Sequence, residues 1–166
     1  FVRERGHLSF PDALVITQQI CHGVAAAHRA GIVHRDLKPE NVFLCDTRQV
    51  GVPFSVKVLD FGIAKVVLAA NAGHTAAIGS PAWMAPEQTE RAGTVSPATD
   101  VWALGLMVFH MLTGKTFWLA GNDPDASMAN LLREVVVDPI PTASTRATAL
   151  DPAGPPLPEG FDAWLA

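Results

Sequence analysis

The most densely charged part of the sequence is "HRDLKPEN", which runs from His34 to Asn41. It places five ionisable side chains and one amide within eight residues, directly before the apolar run Val42 to Leu44. A proline inside such a loop fixes one backbone dihedral and stiffens the turn. The sequence therefore predicts a rigid, highly charged loop that leads into a short strand.

The residue types in and after this loop suit one kind of chemistry. Asp36, Lys38 and Asn41 lie within the loop, and Asp60 follows a second apolar run, next to Phe61 and a glycine. In phosphoryl transfer, one carboxylate accepts the proton of an attacking hydroxyl and a lysine neutralises the phosphoryl oxygens. An amide and a second carboxylate provide the oxygen ligands that Mg²⁺ prefers. The pattern indicates a phosphotransfer site.

Composition excludes several other classes of protein. The chain has 166 residues, of which 49% are apolar and 17% charged, as is typical of a globular domain. A net charge of −4 gives no electrostatic reason to expect a nucleic acid or an anionic membrane as partner. Cys21 and Cys45 lack metal-binding spacing, so we expect reduced, buried thiols, and the spacing of His22 and His28 does not favour a zinc site.

Periodicity predicts three helices and a hairpin. Ser9 and Pro11 begin a helix whose core face repeats at helical spacing, and Gly31 ends it; this face comprises Ala13, Ile16, Ile20, Gly23, Val24 and Ala27. Val42 to Leu44 and Val56 to Leu59 read as the strands of a hairpin. Ser96 begins a helix that is apolar on nearly every face, and a third helix is expected from Met128 to Val136.

Four motifs in this order resemble those of eukaryotic-like protein kinases of the bacterial type. "HRDLKPEN", "DFG" at 60–62, "MAPE" at 84–87 and "DVWALG" at 100–105 are similar to the catalytic loop, magnesium loop, activation-segment end and central helix of that family. The resemblance implies an α+β, protein-kinase-like fold: a mainly helical C-terminal lobe with a small β-hairpin. It makes residues 1–166 a partial catalytic domain, with an activation segment at 61–87 and an irregular loop at 137–160.

Carried over to this sequence, the resemblance assigns the catalytic roles. It implies that Asp36 is the catalytic base, that Lys38 contacts the γ-phosphate of ATP, and that Asn41 and Asp60 bind Mg²⁺. Phe43 would lie under the adenine. The lysine directly after "DL" resembles the serine/threonine-specific pattern, so the expected substrates are Ser and Thr hydroxyls of proteins.

The resemblance also implies supporting roles. His34 and Phe61 would stack in the interior beside Gly62, and Asp100 would accept hydrogen bonds from the backbone of the catalytic loop. Ser80, in "GSPAW" at 79–83, would keep a hydroxyl in the peptide-docking loop. Arg35 is similar to arginines that pair with a phosphate on the activation segment, and Thr75 is the best-placed acceptor. Mass spectrometry of the active protein that finds no phosphate from Asp60 to Glu87 would contradict this hypothesis.

Two parts of such a kinase are missing from the sequence. It contains no G-x-G, and Lys65 follows "DFG", so neither the glycine-rich loop nor the strand lysine over ATP is present. "TGKT" at 113–116 is not a P-loop, because the first glycine of that motif is absent. We therefore expect a fragment whose N-terminal lobe lies upstream and which is inactive alone, with an arginine partner for Glu87 beyond Ala166.

Other interpretations remain open at this point. The main alternative is a catalytically silent kinase-like module that binds partners, although such relatives usually lose the base or a metal ligand. Phosphotransfer to a small molecule is less favoured, since "GSPAWMAPE" suits an extended peptide. The Ala- and Pro-rich connections favour a bacterial signalling kinase. We expect a cytoplasmic segment without membrane contact, any anchor of the parent protein lying outside this chain.

Overall fold

The computed structural model describes residues 6–47, 54–61, 81–89 and 93–166. In these ranges the chain forms five helices of four residues or more in the α conformation and one antiparallel pair of strands. The helices are α1 (Phe10–Arg29), α2 (Pro97–Thr113), α3 (Met128–Val136), α4 (Ala143–Leu150) and α5 (Phe161–Leu165), and the strands are β1 (Val42–Asp46) and β2 (Phe54–Val58).

Helix α1 begins and ends where the sequence predicts. The Ser9 hydroxyl accepts a hydrogen bond from the backbone N–H of Asp12, Pro11 occupies the first turn, and Gly31 follows the last turn with φ of 76°. Glycine adopts this left-handed conformation without steric cost. The residues that α1 buries were all predicted to face the core: Ala13, Ile16, Ile20 and Val24. The prediction is wrong for Gly23, which is exposed at the edge of this face, and Ala27 is only half-buried.

The predicted hairpin is present. Strands β1 and β2 pair antiparallel from Val42 opposite Val58 to Asp46 opposite Phe54. The side-chain oxygen of Gln19 on α1 accepts a hydrogen bond of 2.8 Å from the N–H of Val56. The hairpin is therefore fastened to α1, and β1 continues directly from the charged loop.

Helix α2 is the centre of the hydrophobic core. Ser96 caps its N-terminus, and most of its side chains are buried, with Phe109 at 0% exposure. The prediction of burial on nearly every face is wrong at one position, because Val101 is 63% exposed beside an open groove that reaches Trp164. No helix in the described part of the chain is long and apolar enough to cross a membrane.

One predicted loop contains a helix. Residues 137–160 were expected to be irregular because they are rich in Pro, Ala and Thr, but α4 spans Ala143–Leu150. The carboxylate of Asp162 accepts hydrogen bonds from both the backbone N–H and the hydroxyl of Ser144, and these bonds lower the pKa of Asp162. Contact with a distant segment thus outweighs weak local propensity.

The two thiols differ from expectation. Cys21 is exposed and Cys45 is half-buried, although both were predicted to be buried. Cys21 lies on α1 one position beyond the fully buried Ile20, so the helical turn directs its side chain away from the core.

Candidate active site

The carboxylate of Asp100, in the first turn of α2, is the anchor of the charged loop. Its Oδ2 accepts the backbone N–H of His34 at 2.8 Å, and its Oδ1 accepts that of Arg35 at 2.9 Å. The ring nitrogen Nε2 of His28, near the end of α1, lies 2.7 Å from the same carboxylate. The contact between Asp100 and the loop backbone matches the predicted geometry. The third partner, His28, was not foreseen, since nothing in its local sequence marks it.

Arg35 adopts a backbone conformation that few arginines adopt. Its φ is 68°, in the left-handed region that costs energy for residues other than glycine. Both of its peptide groups are held: Asp100 accepts from its N–H, and Nε2 of Gln88 donates to its carbonyl at 2.8 Å. Oε1 of Gln88 in turn accepts from the N–H of Ala85 at 3.0 Å. Gln88 therefore ties the described segment 81–89 to the charged loop.

The imidazole of His34 joins the loop to the segment that carries Asp60. It is fully buried, and its Nε2 donates to the carbonyl of Leu59 at 3.0 Å while its Nδ1 accepts from the N–H of Asp36 at 3.3 Å. These roles follow because a carbonyl can only accept and an amide N–H can only donate. The ring also packs on Phe61, with centroids 4.5 Å apart. His34 and Phe61 thus make the contact expected from the sequence.

Asp36, Lys38 and Asn41 form one cluster. Nζ of Lys38 lies 3.2 Å from Oδ2 of Asp36, and Nδ2 of Asn41 donates to the carbonyl of Asp36 at 2.8 Å. Asn41 is buried, and its amide nitrogen lies 3.5 Å from the Asp36 carboxylate. The loop therefore places an ammonium group and an amide within hydrogen-bonding distance of Asp36.

Asp60 is brought to this cluster through the backbone. The N–H of Leu59 donates to the carbonyl of Asn41 at 2.8 Å, so the residue that follows, Asp60, lies next to the loop. Asp60 has φ of 57° and an exposed side chain. Non-glycine residues in this conformation are often found at functional sites.

The pair Asn41 and Asp60 fits a magnesium ion. The hydrogen bonds given above for the Asn41 side chain all use its nitrogen, which leaves its oxygen as the atom for a cation. Mg²⁺ commonly takes one or two protein oxygens and completes its shell with substrate phosphates and water. Among the described residues there is no cluster of three or more His, Cys, Asp or Glu that could hold a metal by itself.

Phe43 provides an apolar surface beside the same loop. It lies on β1, two residues after Asn41, and is 49% exposed. An aromatic ring of this exposure could support a nucleotide base, and this role stays a prediction.

The segment 81–89 packs against the α2 region. Oε1 of Glu87 accepts the hydroxyl of Thr99 at 2.6 Å, a partner inside the chain that the sequence did not indicate. A Cβ on Gly93 would lie 1.8 Å from the carbonyl oxygen of Glu87, so only glycine fits there. The rings of Trp83 and His110 meet edge to face, with centroids 5.5 Å apart.

Three predicted residues lie outside the described residues: Gly62, Thr75 and Ser80. Lys65 lies outside them as well. Their assigned roles therefore stay predictions.

Comparison with known proteins agrees with this geometry. The family model described as "Protein kinase domain" matches residues 1–150. The chain belongs to the protein kinase domain family. The predicted membership in a bacterial-type, eukaryotic-like serine/threonine kinase family is thereby confirmed, since the kinases compared below are bacterial.

Three relatives illustrate the likeness of this kinase domain. It is 44% identical over 131 residues to serine/threonine-protein kinase Pkn1 of Myxococcus xanthus, covering 78% of the chain and 18% of that protein. It is 40% identical over 114 residues to PknL of Mycobacterium tuberculosis, covering 68% and 27%, respectively. With PkaA of Streptomyces coelicolor the identity is 35% over 169 residues, covering 97% and 30%. The chain thus spans less than a third of the length of each of these relatives.

Proposed function

We propose that this chain is the C-terminal lobe of a serine/threonine protein kinase, which transfers the γ-phosphate of ATP to Ser and Thr hydroxyls of proteins. The observation that carries the proposal is the cluster of Asp36, Lys38 and Asn41, with Asp60 held beside Asn41 by the bond from Leu59. The bacterial serine/threonine kinases to which the chain is similar support the same reaction.

In this proposal, Asp36 orients the acceptor hydroxyl and takes its proton. The backbone of Asp36 is held from two sides, because Asn41 donates to its carbonyl and His34 accepts from its N–H. Lys38 lies 3.2 Å from the Asp36 carboxylate, so its positive charge can neutralise a γ-phosphate oxygen next to the attacking hydroxyl. Little covalent chemistry is asked of the protein, and correct positioning supplies most of the rate.

ATP would bring Mg²⁺ to the site, where the ion neutralises charge on the phosphates. The oxygens of Asn41 and Asp60 would hold it, and Phe43 would support the adenine from below. The rest of the nucleotide site would come from a glycine-rich loop and a strand lysine on another part of the protein, so this chain alone would be inactive. Cytoplasm is the compartment that supplies both ATP and Mg²⁺.

The alternative function is a silent kinase-like module that binds partners. Such modules usually lack the base or a metal ligand, whereas Asp36, Asn41 and Asp60 are all present. Without a catalytic role, these three residues would be kept only if the fold needed them, and the exposed Asp60 contributes little to packing. The kinase is therefore the better account.

The proposal is tested by replacing the base. We expect Asp36→Asn in the complete kinase to slow magnesium-dependent labelling of a protein acceptor by about 10²- to 10⁴-fold, the usual loss when a general base is removed. The matched control is Asp46→Asn, the same change at an exposed residue at the end of β1, which should label at the wild-type rate. Equal labelling by all three proteins, or none while ATP binds, would favour the silent module.

A further inference from the structure

Among the described hydrogen bonds, only one joins the α2–α3 connection to the end of the activation segment, and Trp118 donates it. Its indole Nε1–H donates to the carbonyl oxygen of Ala82 at 2.9 Å, across 36 positions of sequence. The side chain is 1% exposed. A buried indole N–H usually has an acceptor, but packing alone does not require that the acceptor be Ala82.

The acceptor lies in a segment that we call the docking segment, Pro81–Met84. Its first three residues form a short turn, closed by the N–H of Met84 donating to the carbonyl of Pro81 at 3.2 Å. Trp83 fixes the segment on one side through its edge contact with His110. The Trp118 bond fixes it on the other side, at the peptide group between Ala82 and Trp83.

Trp118 is itself held rigidly. The carboxylate of Glu134 on α3 accepts the N–H groups of the next two residues, Leu119 at 2.8 Å and Ala120 at 2.7 Å. Nη1 of Arg146 on α4 lies 3.5 Å from this carboxylate, and its guanidinium stands 5.3 Å from the centre of the Phe117 ring. The donor is thus fixed by two helices that contribute no residue to the proposed catalytic cluster.

We propose that Trp118 is a positioning residue for the protein substrate: its indole N–H holds the Ala82 carbonyl and so sets the shape of the docking segment. This inference rests on the proposed kinase function and on the resemblance that makes "GSPAW" at 79–83, which overlaps this segment, the peptide-docking loop. A docking surface shaped in advance binds its ligand with less loss of freedom than one that must be ordered on binding. Loss of the N–H should therefore weaken binding of the peptide and leave ATP unaffected.

The chain offers a matched control for the test. Trp102 stacks on Trp118, with ring centroids 6.4 Å apart, and its buried indole N–H has no hydrogen-bond partner among the described residues. Trp118→Phe and Trp102→Phe remove the same atoms from neighbouring rings. Only the first removes a hydrogen bond to the docking segment.

The experiment measures kcat and KM of the complete kinase for a serine peptide and for ATP. For Trp118→Phe we expect the peptide KM to rise about two- to tenfold, the range for one net hydrogen bond, with kcat and the KM for ATP unchanged. Trp102→Phe should keep the wild-type values. An unchanged peptide KM in Trp118→Phe, or an equal rise in both variants, would overturn the proposal.

A second variant keeps the test valid if Trp118→Phe fails to fold. Benzothienylalanine at position 118 replaces the N–H with sulfur and keeps the ring volume, and we expect it to raise the peptide KM by the same factor. Calorimetric titration of the peptide provides a readout that needs no turnover. If the wild-type protein binds ATP and peptide without transferring phosphate, the kinase proposal fails, while the ratio of peptide affinities between wild type and variant still decides the role of Trp118.

Discussion

At the scale of single residues, the left-handed Arg35 depends on a neighbour outside its own loop. Gln88 uses both ends of its amide, accepting from Ala85 and donating to Arg35, and so spans the activation segment and the charged loop. A strained conformation persists only where the surrounding structure holds it. Gln88 is therefore as much a part of the loop's geometry as Asp100.

Replacement of this amide should destabilise the protein measurably. We expect Gln88→Ala to lower the free energy of unfolding by about 1 to 3 kcal/mol, since each of its two hydrogen bonds contributes about 0.5 to 1.5 kcal/mol. Urea unfolding followed by tryptophan fluorescence measures this change. The control is Thr89→Val, because the exposed Thr89 hydroxyl, within the described ranges, bonds only to the carbonyl of Pro86. A loss in Gln88→Ala no larger than in the control would show that the loop holds itself.

At the scale of elements, α3 and α4 are joined by a largely buried ion pair. Glu134 and Arg146 are largely shielded from water, and the Glu134 carboxylate also accepts two backbone N–H groups. Such a carboxylate accepts hydrogen bonds from several donors that water would otherwise bind. Its removal leaves those donors without acceptors. The pair next to it, Arg133 and Asp138, has side chains 70% and 37% exposed.

These two pairs should differ strongly on mutation. We expect Glu134→Ala to cost about 3 to 5 kcal/mol, as when one partner of a buried pair is removed. Arg133→Ala, one position earlier on α3, should cost less than about 1 kcal/mol because its ion pair is exposed. Thermal unfolding of both variants beside the wild type gives the comparison. Similar costs for the two would mean that Glu134 is effectively solvated.

At the scale of the whole molecule, the other elements pack around α2. Phe109 lies at its middle with 0% exposure and contacts the ring of Phe117, whereas Val101 on the same helix is 63% exposed. Removing a buried aromatic ring leaves a cavity that the surrounding core fills only in part. A substitution at a buried position of α2 should therefore disturb the surrounding core, whereas one at an exposed position should not.

Two substitutions on this helix test that arrangement. Phe109→Ala should lower the free energy of unfolding by about 3 to 5 kcal/mol. Val101→Ala should change it by no more than about 0.5 kcal/mol, as is usual for exposed sites. Chemical denaturation of the two variants supplies the numbers. An equal loss of unfolding free energy in both variants would contradict the placement of α2 at the centre of the core.

The separation in sequence between bonded residues explains which features could be predicted from the sequence. Local patterns predict where α1 and α2 begin, because each N-terminus is capped by residues three positions apart: Ser9 with Asp12, and Ser96 with Thr99. The contacts among Asp36, Lys38 and Asn41 could be predicted because these residues lie in one contiguous loop. Gln88, His28 and Trp118 act on partners 53, 72 and 36 positions away, and α4 depends on an aspartate 18 positions from Ser144. No local pattern contains such pairings.

The bonds from Asp100 to the charged loop have a consequence for synthesis of the protein. The carboxylate that orders His34 and Arg35 follows them by 66 and 65 positions, so it leaves the ribosome well after they do. Until α2 has emerged and packed, Arg35 has no reason to adopt its strained backbone. A nascent chain that ends before Asp100 thus carries every residue of the loop without the geometry that Asp100 imposes. The charged loop reaches that geometry late in translation, after the central helix is complete.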